Sequence, residues 1–153
     1  MERYIQWTAI VIFTVVFAFA LCRPPLKDWV LIFFVKSYLS ILVSSFVTAQ
    51  GRIEYPVRFL PRIFPTSILF EAFVFPILCV CYNQTTYRSG IKGIVGQAVL
   101  YSAAMTALEF WLERNTELIN YLRWDWENTF IWLFCSFVGV RAFMAGIRYF
   151  AGE

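Results

Sequence analysis

The sequence predicts an all-α fold, a polytopic transmembrane helical bundle of about five membrane-spanning helices with a Pro/Arg-rich interfacial loop. Three observations predict it. Of the 153 residues 60% are hydrophobic and only 15% charged, whereas a soluble domain carries roughly 25% charge and under about 50% apolar residues. Five apolar runs each approach the ~20 residues that cross about 30 Å of hydrocarbon. The Pro, Gly, Arg and Asn residues collect between those runs. An unpaired backbone group in lipid costs several kcal/mol, so spans of this length must satisfy their own hydrogen bonds as helices.

The first run, residues 5–22, ends in Ala18-Phe19-Ala20, the small-x-small form of a signal-peptidase site. Its only basic flank is Arg3, and it is longer than an ordinary signal core, so a retained helix is expected. The second run, 29–47, follows Arg23-Pro24-Pro25, and the third, 66–82, contains Pro76 and Glu71. The fourth, 94–112, and the fifth, 127–145, bring five crossings, which put the two chain ends on opposite faces. Together they make residues 1–153 a single transmembrane domain. Gly96, Ala103, Ala104 and Ala107 predict close packing of the fourth helix; Gly139, Ala142 and Gly146 predict it for the fifth.

Between the second and third runs, residues 50–65 (QGRIEYPVRFLPRIFP) hold three prolines that forbid a long regular helix. Arg52, Arg58 and Arg62 alternate there with apolar side chains, a pattern for a segment lying in the headgroup layer with its guanidinium groups on lipid phosphates. A re-entrant piece contributing to a site is the other reading. Trp29, Tyr82, Tyr121, Trp124 and Trp126 sit at run ends, as interfacial aromatic belts do. Lys and Arg divide almost evenly between the two faces, and the dense Arg52 to Arg62 cluster favours a cytoplasmic N-terminus.

Histidine is absent, which removes the commonest general base and metal ligand. Cys22, Cys79, Cys81 and Cys135 lie in or at the ends of apolar runs without C-x-x-C spacing, so they are expected to be small buried apolar residues and not metal or redox ligands. No cofactor or nucleic-acid motif is present, and no metal site is expected. Asn83-Gln84-Thr85 matches the short glycosylation sequon, which matters only in a secreting eukaryote.

Four ionisable residues fall inside spans: Lys36, Glu71, Glu109 and Arg141. Each costs about 2.5 to 3.5 kcal/mol at a helix centre and is a functional-site hypothesis by default. Counting ~1.5 Å per residue, both acids lie toward the N-terminal face and both bases toward the other, with a vertical offset of about 10 Å. In one reading Glu71, Glu109 and, one turn on, Glu113 share a polar pocket that holds a proton or a cation. In the other, Glu109 is interfacial while Lys36 and Arg141 snorkel to the far headgroups. Lys36, Ser40, Ser44 and Thr48 recur every four residues, with Ser37 and Ser45 beside them, and mark a helix face that packs closely through hydroxyl groups.

The runs Ile53-Glu54-Tyr55-Pro56-Val57-Arg58, Cys79 to Tyr87 and Glu109-Phe110-Trp111-Leu112-Glu113-Arg114-Asn115-Thr116, extended by Leu118 to Tyr121 and Trp124-Asp125-Trp126, resemble a family of small multi-spanning membrane proteins from spore-forming Firmicutes. The resemblance covers about residues 25 to 148. It implies a bacterial cytoplasmic membrane and a first helix that is kept, and it directs attention to Glu54, Tyr55, Glu71, Asn83, Glu109, Glu113 and Trp124. It implies no named activity. The expected function is a non-enzymatic membrane subunit or small ion or solute carrier, partnered by the lipid bilayer and by further copies or another membrane protein. The alternative is a membrane enzyme on a lipid or lipid-linked substrate, with Glu71 or Glu109 as acid or base.

Overall fold

A computed structural model describes residues 1–152. Five helices form a bundle: α1 (Glu2–Leu21), α2 (Leu26–Ala49), α3 (Phe75–Thr85), α4 (Ile91–Asn115) and α5 (Trp126–Ala151). Four of them, α1, α2, α4 and α5, are long and apolar enough to cross a membrane, as in a multi-pass membrane protein. Helices α2, α4 and α5 outrun their apolar segments by several residues, whereas α1 starts three residues before its segment and ends one residue short of it.

The third helix departs from a simple span. A π-helical turn, Phe70–Val74, precedes α3, and helix continues without a break over 68–85, about 27 Å at 1.5 Å per residue. It touches each of the other four helices, and Val74, Ile77, Cys79, Val80 and Tyr82 are buried within it. The helix of the bundle that meets lipid least is therefore the one that carries Glu71. Around it, α1, α2, α4 and α5 expose Trp7, Phe34, Phe46, Leu100 and Ile131 outward, as a hydrocarbon environment allows.

Pro76 explains the π turn. It has no N–H for the Ala72 carbonyl four residues earlier, and the wider turn, with Phe75 N–H donating to Phe70 O, re-routes the ladder. Ser37 of α2 donates its hydroxyl to Ala72 O at 3.0 Å. Ser37, Ser40 and Ser44 are all buried, but the four-residue repeat does not serve one helix contact: Lys36 bonds Ser136 of α5, Ser44 meets the Tyr55 hydroxyl, and the Ser40 and Thr48 hydroxyls have no partner among the described residues.

On the face where α2 and α4 end, the loops fold into a small cap. Gly51 ends α2 in the left-handed conformation, at φ 65°, so that Gly51 N–H reaches Thr48 O and Arg52 N–H reaches Val47 O. Two short strands follow, β1 (Ile53–Glu54) and β2 (Asn120–Tyr121), pairing antiparallel with Ile53 opposite Tyr121 and Glu54 opposite Asn120. Val57 N–H to Glu117 O and the Leu122 and Arg123 amides to Arg52 O extend the seam. Residues 51–57 are therefore bound into the cap, whereas 59–63 are exposed. Val47, Ile53, Tyr55, Leu112, Leu118 and Ile119 pack beneath it as a second apolar cluster.

The close packing expected of the small residues in α4 and α5 is not found. Gly96, Ala103, Ala104, Ala107, Gly139 and Ala142 are exposed, and a Cβ at Gly96, Gly139 or Gly146 would meet nothing within 4 Å. The inward faces carry Ser102, Met105, Thr106, Ser136, Phe137 and Val140 instead; small size alone did not say which way these residues point.

Candidate functional site

Beneath the cap, the chain assembles a hydrogen-bonded acid. Glu109 lies near the C-terminal end of α4, and the β2–α5 connection brings two aromatic side chains over it. Tyr121 O–H donates to Glu109 Oε1 at 2.7 Å, and the Thr129 hydroxyl, in the first turn of α5, donates to the same oxygen at 3.1 Å. Trp124 Nε1–H donates to Thr129 Oγ1 at 2.9 Å, which fixes the direction of the Thr129 proton toward the carboxylate. Glu109 Oε2 takes no hydrogen bond among the described residues.

Glu71 approaches from the opposite side. It is buried in the bundle and lines one cavity together with Ser44 and Tyr55; Tyr55 OH and Ser44 Oγ lie 3.4 Å apart. Two small cavities, of about 30 and about 40 Å³, are both bordered by Tyr55, Glu71, Phe75 and Glu109. Each has room for a water-sized occupant. The two carboxyl groups thus border the same pair of cavities, whose walls are otherwise mostly apolar. Glu113 does not join them: it borders a separate outer cleft with Tyr121, Trp124 and Asp125. Trp124 and the Tyr121 ring form the partition between that cleft and Glu109.

Lys36 is fully buried and does not reach toward the headgroups. Its Nζ donates to Ser136 Oγ at 2.8 Å and lies 5.3 Å from the centroid of the Trp132 ring and 5.9 Å from that of Phe137. Ser136 in turn donates to Leu133 O. An aromatic, hydroxyl-lined socket of this kind holds an ammonium through the ring quadrupoles. Lys36 makes no direct ion pair with Glu71 or Glu109 among the described residues.

Arg141 also stays inside. It donates to the carbonyls of Thr86 and Tyr87, at 3.2 and 3.3 Å, and so places a cation at the C-terminal end of α3, where the helix dipole favours one. Nearby, Arg148 pairs with Asp28 at 2.7 Å and stacks on Tyr87. For both intramembrane bases, burial with specific partners replaces the snorkelling alternative.

The other predicted positions separate. Glu54 is exposed and acts through the β1–β2 ladder. Asn83 is buried on α3, donating to Cys79 O at 2.9 Å, and belongs to a different level of the bundle. Arg58 turns onto the carbonyls of Tyr55, Pro61 and Phe64, holding the loop together, while Arg52 and Arg62 are exposed. Among the run-end aromatics Trp126 is about half exposed, at 51%, whereas Trp29 and Tyr82 are buried, with Trp29 N–H on Arg23 O and Tyr82 O–H on Ile94 O. Tyr121 and Trp124 belong to the acid site, so their role exceeds setting depth. Thr129 escaped the sequence reading, since a lone threonine at a helix start has no distinguishing pattern.

Tyr55 and Tyr121 lie outside the spans. Burial, reinforced by the Glu71 and Glu109 charges, pushes the Tyr55 phenol well above its ordinary value. Burial and the Glu109 charge push Tyr121 up as well. Both remain neutral donors at physiological pH. No three His, Cys, Asp or Glu residues come together as a metal-ligand group among the described residues. Comparison with protein-family models, with curated proteins and with solved structures finds no match.

Proposed function

We propose that this chain is a non-enzymatic membrane protein that binds one proton or one small monovalent cation between Glu71 and Glu109. It works as a small carrier, or as the cation-binding subunit of an oligomer or larger membrane assembly. The observation that carries this reading is a charge count. Two acids, Glu71 and Glu109, border the two small cavities, and one base, Lys36, is buried against Trp132, which lines one of them. With all three ionised it has one uncompensated negative charge, which a low-dielectric interior does not tolerate. One bound cation or proton restores neutrality, and the water-sized cavities bounded by both carboxyl groups offer it a place.

Selectivity for a monovalent species follows from the same count, since a divalent ion would leave a net positive interior. On the likeness of its motif runs to small multi-spanning proteins of spore-forming Firmicutes, we place the protein in a bacterial cytoplasmic membrane.

The test is flux and binding in proteoliposomes. Wild-type protein should support proton- or Na⁺-dependent uptake or exchange, and Glu109→Gln, which keeps an acceptor for Tyr121 and Thr129 but removes the charge, should abolish it. Equal flux in wild type and variant, with the variant monodisperse in detergent, overturns the proposal.

A further inference from the structure

Two depressions meet at the α4–α5 seam on the capped face, outside the acid site. The outer cleft, about 740 Å³, is lined by Glu113, Arg114, Arg123 and Asp125. Beside it a groove of about 350 Å³ is lined by Ala103, Ala107 and Phe130, with Phe110 and Trp126 bordering both. A polar compartment thus opens directly into an apolar one. Trp126, 51% exposed, borders both, where interfacial tryptophans sit.

The charges of the cleft are unusual in one respect. Two cations and two anions line one depression, yet none of Glu113, Arg114, Arg123 and Asp125 forms an ion pair among the described residues. Arg114 is held by its guanidinium stacking over Phe110 at 4.4 Å, and the Asp125 side chain makes no cap bond to α5. Opposite charges that share a cleft without closing on each other leave both signs available to a third party.

We propose that this seam is a binding site for a zwitterionic phospholipid with a primary ammonium headgroup, of the phosphatidylethanolamine type. The phosphate lies toward Arg114 and Arg123, the ammonium toward Glu113 and Asp125, and one acyl chain lies over Ala103 and Ala107 between Phe110 and Phe130. The balanced charge selects against a purely anionic lipid, which would satisfy the arginines while leaving its negative charge near two carboxylates. A primary ammonium carries three N–H donors for charge-assisted hydrogen bonds; a choline headgroup has none, and loses that contribution. The alanines matter by absence: any larger side chain at 103 or 107 would occupy the space of the chain. This site needs neither Glu71 nor Glu109, so it stands apart from the cation-binding proposal.

The experiment is native mass spectrometry of detergent-purified protein against phosphatidylethanolamine, phosphatidylcholine, phosphatidylglycerol and chain-free glycerophosphoethanolamine, at matched concentrations. The expected result is one phosphatidylethanolamine retained at least about tenfold better than the other two lipids, and no retention of the chain-free headgroup. Glu113→Gln with Asp125→Asn should remove the preference for ethanolamine over glycerol headgroups while lipid is still held. Ala107→Leu should lower retention of all three lipids. Equal retention of the three by wild-type protein overturns the proposal without recourse to any variant, and so does strong binding of the chain-free headgroup. A preference unchanged by the double variant, with both proteins monodisperse, overturns the assignment of the carboxylates.

Discussion

Ser37 on α2 donates to Ala72 O at 3.0 Å, and Ala72 is the residue whose carbonyl Pro76 leaves without an N–H. The hydrogen bond that a proline removes from one helix is thereby supplied by a serine on its neighbour. In hydrocarbon a carbonyl without a donor is expensive, so the two residues are energetically linked. Ser37→Ala should destabilise the bundle by about 0.6 to 2 kcal/mol. In a Pro76→Ala background, where an N–H returns, the same substitution should cost less than half as much. Thermal or SDS-induced unfolding of the four proteins of this double-mutant cycle checks it; equal costs in both backgrounds would show that the two are independent.

Lys36 supplies the only positive charge in the charge count around Glu71 and Glu109, from a socket made by Ser136, Trp132 and Phe137. Lys36→Met fills the stem's space with an apolar chain but leaves two acids without their base. Lys36 touches neither acid directly, so the expected loss lies below the ~3 to 5 kcal/mol of a buried ion pair broken from one side. Adding Glu71→Gln should recover most of it, because the remaining single acid again needs only one proton or cation. Unfolding midpoints of the single and double variants decide the matter, and a double variant less stable than Lys36→Met would refute the count.

The two cap tyrosines give the protein an alkaline limit. Burial and the neighbouring carboxylates raise both Tyr55 and Tyr121 above the unfolded value of about 10. The native state therefore keeps protons that the unfolded chain releases, and stability must fall as pH rises. The contribution is fully present below about pH 9 and is lost progressively above about pH 10. Tyr55→Phe removes one of the two ionisations, so its stability should decline less steeply between pH 9 and pH 11 than that of wild type. Parallel slopes would mean that Tyr55 ionises alike in both states.

How much of this was legible in the sequence depends on the kind of signal. Helix positions and the membrane environment follow from long apolar runs, which are a property of composition along the chain. Lys36, Glu71, Glu109 and Arg141 stand out because a charge in an apolar run is costly wherever it points. Direction was not legible. The rise per residue placed Lys36 and Glu71 at different depths, but it could not show the π turn at Phe70–Val74 that reorients Glu71, nor the socket around Lys36. Nor did it reveal that Glu113, one turn from Glu109, leaves the interior, or that Ala103 and Ala107 face outward. The β1–β2 pairing of Ile53 with Tyr121 joins segments far apart in the chain, and two-residue strands have no periodicity to detect. Tyr121 and Trp124 looked like a depth marker because an aromatic at a helix end serves that purpose equally well when it points the other way.

Asp28 and Arg148 close the opposite end of the bundle, with the carboxylate 2.7 Å from the guanidinium. Asp28 stands in the first turn of α2 and Arg148 in the last turn of α5, so each also has the sign its helix end favours. That arrangement makes the pair directional. Asp28→Asn or Arg148→Met should each destabilise by about 1.5 to 3 kcal/mol, the range for a charge-assisted bond. The swap Asp28→Arg with Arg148→Asp restores opposite charges but sets both against their helix dipoles and takes the guanidinium from the Tyr87 ring, which it now faces at 4.5 Å. It should therefore recover less than half of the single-variant loss. Full recovery, read from the unfolding midpoint, would mean that attraction between the two charges is all that this contact contributes.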